Sequence, residues 1–356
     1  MPFGSETGRR TPGSAGAPDG RSAPGSPAPI SRGSIRRTTT VDARPDGTWR
    51  AGTLVDARGR DLIADGRGHT REHATHRFRA RVDKDGTLRD TDDTTGDAGG
   101  SRLPAELVGI DSRRGFRRAL TAHFGPVGGA GLQAALLDDL PGMRIISGYA
   151  QLQQHAPARP DDQRPSLAIG VCVGWAADGT AATSDEALPD MLTSRPPAPD
   201  LVGGNERVWH ADPPPPRAGM RRRRLIEVSP DTVTGVYGYF RDTYCRPDGI
   251  EVVVHEYEIT ATVAAGVGGL PVVRELTARP GALPFPECPA AAATAVSLHG
   301  VPLDEIEPEV RRRLVGPHGC THLNDLLRTL RLVEPMTALF RATRGEPNQR
   351  PKESAS

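Results

Sequence analysis

Two halves of this 356-residue chain echo each other, and the echo restricts its fold more than any other feature. "GPVGGAGLQAALLDDL", from Gly125, returns as "GPHGCTHLNDLLRTL", from Gly316. Gly-Pro-x-Gly recurs, and Leu132 and Leu136 match Leu323 and Leu327 at an offset of 191. Upstream, "HRFRARVD" from His76 matches "HEYEITAT" from His255 at an offset of 179. "GTLVD", ending at Asp56, matches "GYFRD", ending at Asp242, at an offset of 186. "RRTTTVDARPDG", from Arg36, matches "RRRRLIEVSPD", from Arg221. The order is kept and the offsets drift as indels would make them drift, which points to an internal duplication.

Each copy reads as antiparallel strands followed by helices. In the second, "GIEVVVHEYEITATV" alternates as a half-buried strand does, with Val253, His255, Tyr257, Ile259 and Ala261 on one face. "GVGGL" is a turn and "PVVRELTA" a further strand. "PAAAATAVSLHG" reads as a helix closed by Gly300, and "PLDEIEPEVRRRLVG" as another, acidic first and basic last. Thr321 or Asn324 caps "LNDLLRTL". The expected class is α+β, as two tandem related domains, each an antiparallel sheet followed by helices. The first spans 33–155 and the second 219–342, with a Pro-rich linker over 156–218. The tails, 1–32 and 343–356, are rich in Gly, Pro, Ser and Arg and read as disordered.

With 36% hydrophobic residues, 41 glycines and 34 prolines, two small cores fit if much of the chain lies outside them. A net charge of +1 supplies no global field for nucleic acid or anionic lipid. The run Arg221 to Arg224 reads as a solvated strand edge. No apolar run approaches the ~20 residues that span a bilayer, and the N-terminus lacks the apolar core of a secretory signal. The expectation is therefore a cytoplasmic protein. Thiols stay reduced there, so four cysteines suggest metal or thiol chemistry before disulfides.

The first copy has no cysteine; the second has Cys245, Cys288 and Cys320, and Cys172 lies in the linker. Gly129-Ala130-Gly131 stands where the second copy has Cys320-Thr321-His322. A fold that does without the thiol and imidazole in one copy points to chemistry or a ligand in the other. At a helix start, Cys320 would be biased toward thiolate, with His322 as base, charge partner or second ligand. Further metal ligands would come from Cys288, Cys245, Asp242 or solvent. Thiolate and imidazole suit zinc or an iron–sulfur cluster better than magnesium or calcium. His255, matched by His76, reads as a core histidine. Asp242, matched by Asp56, reads as a strand-end organiser or a ligand. His299 and His318 read as capping or surface residues. If the chain is an enzyme, Cys320 is its nucleophile or acid/base and His322 the partner. No GxSxG, phosphate-binding GxxxxGK[ST] or HExxH motif is present.

"FRD" at 240–242, "IEVVVHEYEI", "LPFPECPAA" from Leu283, "LHG" at 298–300 and "GCTHLNDLLRTL" from Gly319 resemble a bacterial family known as domain of unknown function 2889. That resemblance covers about 120 residues and implies no activity. The order of Cys245, the long strand, Cys288, "LHG" and Cys320 is similar, more distantly, to NifU-type iron–sulfur scaffolds. It implies cluster ligation by Cys245, Cys288 and Cys320, although Arg246-Pro247-Asp248 replaces that family's Cys-Gly-Asp. "GCTH" also resembles the C-terminal cysteine motif of aspartate/glutamate racemases, without the buried strand that precedes it there. The leading expectation is a metal- or iron–sulfur-binding accessory protein. A thiol-dependent enzyme and a non-catalytic interaction module that meets a protein partner are the alternatives.

Overall fold

Charged residues alternate with apolar ones along the longest extended stretches, so each strand has two unlike faces and a layer on each. In the computed structural model, residues 25–91, 101–112, 115–155, 169–183 and 195–345 are described. Eight strands form one antiparallel sheet in the order β4-β3-β2-β1-β5-β6-β7-β8. They are β1 (Ser34–Asp46), β2 (Thr48–Ala64), β3 (Thr70–Asp83), β4 (Leu88–Asp90), β5 (Gly219–Ser229), β6 (Thr234–Cys245), β7 (Glu251–Ala265) and β8 (Pro271–Pro280). The α+β class and the antiparallel sheet agree with expectation. The two halves do not have a sheet each: β1 pairs with β5 from Ile35↔Val228 to Ala43↔Met220, so a single sheet runs through both.

One face carries helices. These are α1 (Phe116–Gly128), α2 (Leu132–Asp138), α3 (Leu140–His155), α5 (Ile306–Arg313), α6 (Thr321–Leu327) and α7 (Val333–Thr343), while the single turn α4 (Thr180–Thr183) lies in the connecting segment. α2 lies on β1 to β3, α6 on β6 and β7, and both α3 and α7 cross the β1–β5 seam. The stretch expected to be a helix after Cys288 is a 3₁₀ helix, Cys288–Leu298, and Gly300 beyond it has φ 75°, a conformation that favours glycine. No helix among the described residues is long and apolar enough to cross a membrane.

The other face is covered by the Pro-rich segment after residue 195. Trp209 is fully buried there and donates to Thr40 Oγ1, while His210 Nδ1 lies 2.8 Å from Thr38 Oγ1. The N-terminal tail also begins earlier in the fold than expected: Ile30 packs on Leu62 and Ala64. The remaining expected tail residues lie outside the described ones.

Arg221 to Arg224 are not a solvated edge. They sit in β5, the strand beside the seam, and each is at most 6% exposed. Such burial requires paired charges. Arg221 meets Asp42, Arg222 meets Asp242 and Asp325, Arg223 meets Asp212 and Glu251, and Arg224 meets Asp139. Across the seam the pattern is reciprocal: Arg36 of β1 pairs with Glu227 of β5, and Arg221 of β5 with Asp42 of β1.

Candidate functional site

Three neighbouring strands set the site. Directly paired residues share a face of a sheet. Arg222 of β5 is paired with Asp242 of β6, and Asp242 with His255 of β7. The three side chains therefore stand in a row on the helix-covered face. A β-bulge falls immediately beyond, where Thr243 pairs with Val253 and Val254 is passed over. This puts Val253, expected on the face of His255, on the opposite one. The second residue of α6, His322, closes over the row.

The groups are close and dry. His255 Nδ1 lies 3.7 Å and His322 Nε2 3.6 Å from Asp242 Oδ2. The two imidazoles stack with centroids 3.5 Å apart and planes at 19°. Asp242 is 0% exposed, His255 3% and His322 6%. Among the described residues His255 Nδ1 has no hydrogen-bond partner, and the Tyr149 hydroxyl is 3.4 Å from Nε2. Among the described residues, Asp242, His255 and His322 form a group of three whose ligand-type atoms all fall within 4.8 Å of one another.

Arg222 holds the carboxylate in place. Its Nε and Nη2 donate to Asp242 Oδ1 and Oδ2 at 2.9 and 3.0 Å, and Nη1 donates to Asp325 at 3.1 Å. The guanidinium runs past Gly142 of α3 so closely that a Cβ there would overlap it. Glycine at 142 is thus part of the site's construction.

Burial dominates the electrostatics. It raises the Asp242 carboxyl to about 6 against the pull of Arg222. It lowers His322 to about 3, helped by Arg222, and lowers His255 well below the ordinary range, helped by His322. Both imidazoles are accordingly neutral near pH 7, each with one N–H and one nitrogen lone pair.

The thiols differ from expectation. Cys320 Sγ touches His322 Nδ1 at 3.7 Å, so that pair does meet. Cys320 is not biased toward thiolate, however: burial pushes it up to about 11, with Cys172 adding to the rise. α6 has only seven residues, and its dipole does not offset complete desolvation. Cys288 lies in the same apolar core as Cys320, its carbonyl accepting from the Tyr257 hydroxyl at 3.3 Å. Burial raises its thiol also. Cys172, from the connecting segment, bridges to Gly316, and Val173 N donates to Gly319 O. In that strap Gly174 packs so tightly that a Cβ would come within 2.6 Å of Cys288 Sγ. Cys245 is not part of this group. Three residues beyond Asp242 on β6, it faces the opposite side of the sheet, with Sγ 3.7 Å from Arg246 O. The three-cysteine set that the scaffold likeness implied is therefore split across the two faces. His299 and His318 are both exposed, as surface residues would be; His299 also binds the backbone of Leu276 in β8, and neither joins the row of site residues.

His255 and Arg222 are the site residues that sequence reading passed over. Arg222 was hidden in a run of four arginines. His255 was discounted against His76, yet the buried aspartate of β2 is Asp61, paired with Arg37, and Ala74 is opposite it. A lone histidine on the apolar face of a strand, two strands from an arginine, was the available signal.

Residues 220–334 match the model of a family described as "Protein of unknown function (DUF2889)". No curated protein and no solved structure matches the chain. The matched stretch, about a third of the chain, runs from β5 to the start of α7 and takes in Arg222, Asp242, His255, Cys288, Cys320 and His322.

Proposed function

We propose that this chain is a metal-binding protein whose centre is a single divalent transition-metal ion, zinc or ferrous iron, held by Asp242 Oδ2, His255 Nδ1 and His322 Nε2. The observation that carries the reading is the spacing of these atoms; on binding, the stacked imidazoles would turn so that their in-plane lone pairs converge on the ion. Donors about 2.1 Å from a tetrahedral ion lie roughly 3.4 Å from one another. Here the two imidazole nitrogens are 3.6 and 3.7 Å from the carboxylate oxygen, too far for hydrogen bonds and near that figure. Both histidines are held neutral, the form that binds metal. Arg222 occupies one lone-pair direction of each Asp242 oxygen and leaves another on Oδ2, acting as an outer partner that orients the ligand. Two imidazoles and one carboxylate suit a mononuclear ion better than an iron–sulfur cluster. The complete burial of the ligands suits a structural or accessory role better than turnover.

Thiol catalysis is the second reading, favoured by the contact of Cys320 Sγ with His322 Nδ1 at 3.7 Å. It requires a thiolate, and burial works against one.

We also propose that the chain arose by internal duplication. Its support is the matching sheet order of β1–β4 and β5–β8, the bulges just after Asp61 and after Asp242, and the reciprocal seam pairs. On this alignment Asp61 stands for Asp242 and Ala74 for His255. The first half then keeps the arginine–aspartate pair and lacks the ligand set.

The test is metal and acid-labile sulfide content of anaerobically purified protein beside His255→Ala, His322→Ala and Cys320→Ser. Close to one zinc or iron per chain is expected, without sulfide, lost in both histidine variants and retained in Cys320→Ser. Metal absent from the wild type, or lost only with Cys320, would overturn the three-ligand site.

A further inference from the structure

The segment that leads into β1 lies across the sheet as a bound peptide would. Residues 25–31, Gly-Ser-Pro-Ala-Pro-Ile-Ser, form no strand or helix. They run over the face covered by the Pro-rich segment, from β7 and β6 at one end to β5 and β1 at the other. Pro27 and Ile30 are buried, while Ser26, Ala28, Pro29 and Ser31 are exposed. A paired strand buries every second residue; a spacing of three, with two prolines, is that of a polyproline II helix.

Two buried ion pairs read the backbone of this segment. Glu256 of β7 accepts from Arg241 of β6 at Oε1 and from Gly25 N at Oε2, both at 2.8 Å, and Arg241 Nη2 donates to Gly25 O. The Tyr239 hydroxyl lies 3.4 Å from the same carbonyl. Glu227 of β5 accepts from Arg36 of β1 at Oε2, at 2.7 Å, and from Ser31 N at Oε1, at 3.1 Å. Arg36 Nη1 donates to Ala28 O at 2.8 Å. Each pair thus turns one carboxylate oxygen to an N–H of the segment and one guanidinium N–H to a carbonyl. All four side chains are at most 3% exposed, and each is neutralised by its own partner, not by the segment. The Pro-rich segment adds the Arg207 carbonyl, which accepts from Ile30 N at 2.9 Å.

Little of this depends on which peptide is present. Among the described residues, neither Ser26 nor Ser31 uses its hydroxyl in a hydrogen bond. The polar recognition is of main chain, which any extended peptide supplies. Selectivity rests on Pro27, on Ile30 and on Gly25, where a Cβ would come within 3.0 Å of Glu258 Oε1. Main-chain bonds for affinity and side-chain pockets for choice are the division found in peptide-recognition grooves. Neither large core depends on the segment, since Ile30 packs in a small separate cluster with Leu62 and Ala64.

We propose that this groove recognises extended peptides of the pattern Gly-x-Pro-x-x-aliphatic, that residues 25–31 fill it in cis, and that a partner protein carrying such a segment displaces them.

The probe is a labelled synthetic peptide of residues 24–33, titrated by fluorescence polarisation against the full chain and against Ile30→Asp, which loosens the internal segment. Saturable one-to-one binding to Ile30→Asp is expected. Its apparent affinity should be at least ~10-fold above that of the wild type, because a tethered competitor acts at an effective concentration on the order of mM. A peptide of the same composition in scrambled order should bind at least ~10-fold more weakly. Hydrogen exchange of the wild type is the check that needs no variant. The Gly25, Ile30 and Ser31 amides should exchange at least ~10-fold faster than the β1 amides at the seam, since the segment leaves without the sheet. Exchange as slow as the seam's, no binding by folded Ile30→Asp, a scrambled peptide bound as tightly, or a wild type that binds as well as the variant would each overturn the proposal. Concentration-dependent dimers of the wild type that Ile30→Asp abolishes would assign the groove to the same segment of a second copy instead.

Discussion

Cys320 shows how burial reverses a local rule. A thiol at a helix start next to an imidazole reads as reactive, because the helix end and a cationic neighbour both favour thiolate. In the fold, His322 is neutral and Cys320 fully desolvated, so its thiol rises to about 11. Native Cys320 should therefore react with a disulfide reagent at pH 8 roughly 100-fold or more slowly than a free thiol. In denaturant all four cysteines should react at the free rate, and a fast native phase lost in Cys320→Ser would refute the raised value. The location of this residue was legible, since the echo in the chain singled it out and the structure puts it against His322. Its chemistry was not, because desolvation depends on Tyr149, the Cys172 strap and β7, all distant in sequence. For the same reason the place of His255 beside Asp242 was missed: a match by letters pairs it with His76, whereas strand register pairs its position with Ala74.

At the scale of elements, the helix layer is fastened to the sheet by a knot of arginines and aspartates. Asp138, at the end of α2, faces Arg117, Arg328 and Arg331, and Asp325 of α6 faces Arg117, Arg222 and Arg328. Burial would raise both carboxyls, but the arginines outweigh it and hold Asp325 at about 2 and Asp138 lower still. The sign follows from linkage. The unfolded chain takes up these protons near pH 4 and the folded chain only near 2. Their stabilisation is thus whole above about pH 4 and is lost as pH falls toward 2. Thermal midpoints measured from pH 5 to 2 should fall on this limb, and Asp325→Asn should make the fall shallower while lowering the midpoint at pH 6 to 7. An acid limb of the same steepness in the variant would count against Asp325. Strand and helix positions were largely readable from alternation and glycine. The knot was not, because four adjacent arginines look solvated until each is assigned a carboxylate from another element.

The molecule as a whole is one sheet, and its two halves meet through β1 and β5 rather than through a linker alone. Heat unfolding should accordingly be a single cooperative transition by calorimetry and circular dichroism together. The isolated fragment 219–345 would present β5 as an open edge with Arg221 and Glu227 unpartnered, and it should aggregate or stay unfolded. Two resolved transitions, or a soluble, folded fragment, would show that the seam is dispensable. The paired blocks in the sequence suggested two related halves; that one sheet runs through both lay beyond alternation and spacing, which say nothing about which edges join.

The reciprocal charges at that seam also make it a keyed joint. In the observed alignment Arg36 meets Glu227 and Asp42 meets Arg221. Sliding β5 by two residues keeps the faces correct, as a one-residue slip would not. In one direction Arg36 then faces Ser229, although Asp42 still finds Arg223; in the other, Arg36 faces Leu225 and Asp42 faces Gly219. No such slip preserves both bonds, so two ion pairs that add little net stability still discriminate among alignments that hydrophobic alternation alone would leave nearly equal. Read this way, the arginine run is an address: it tells the second half where along the first to dock.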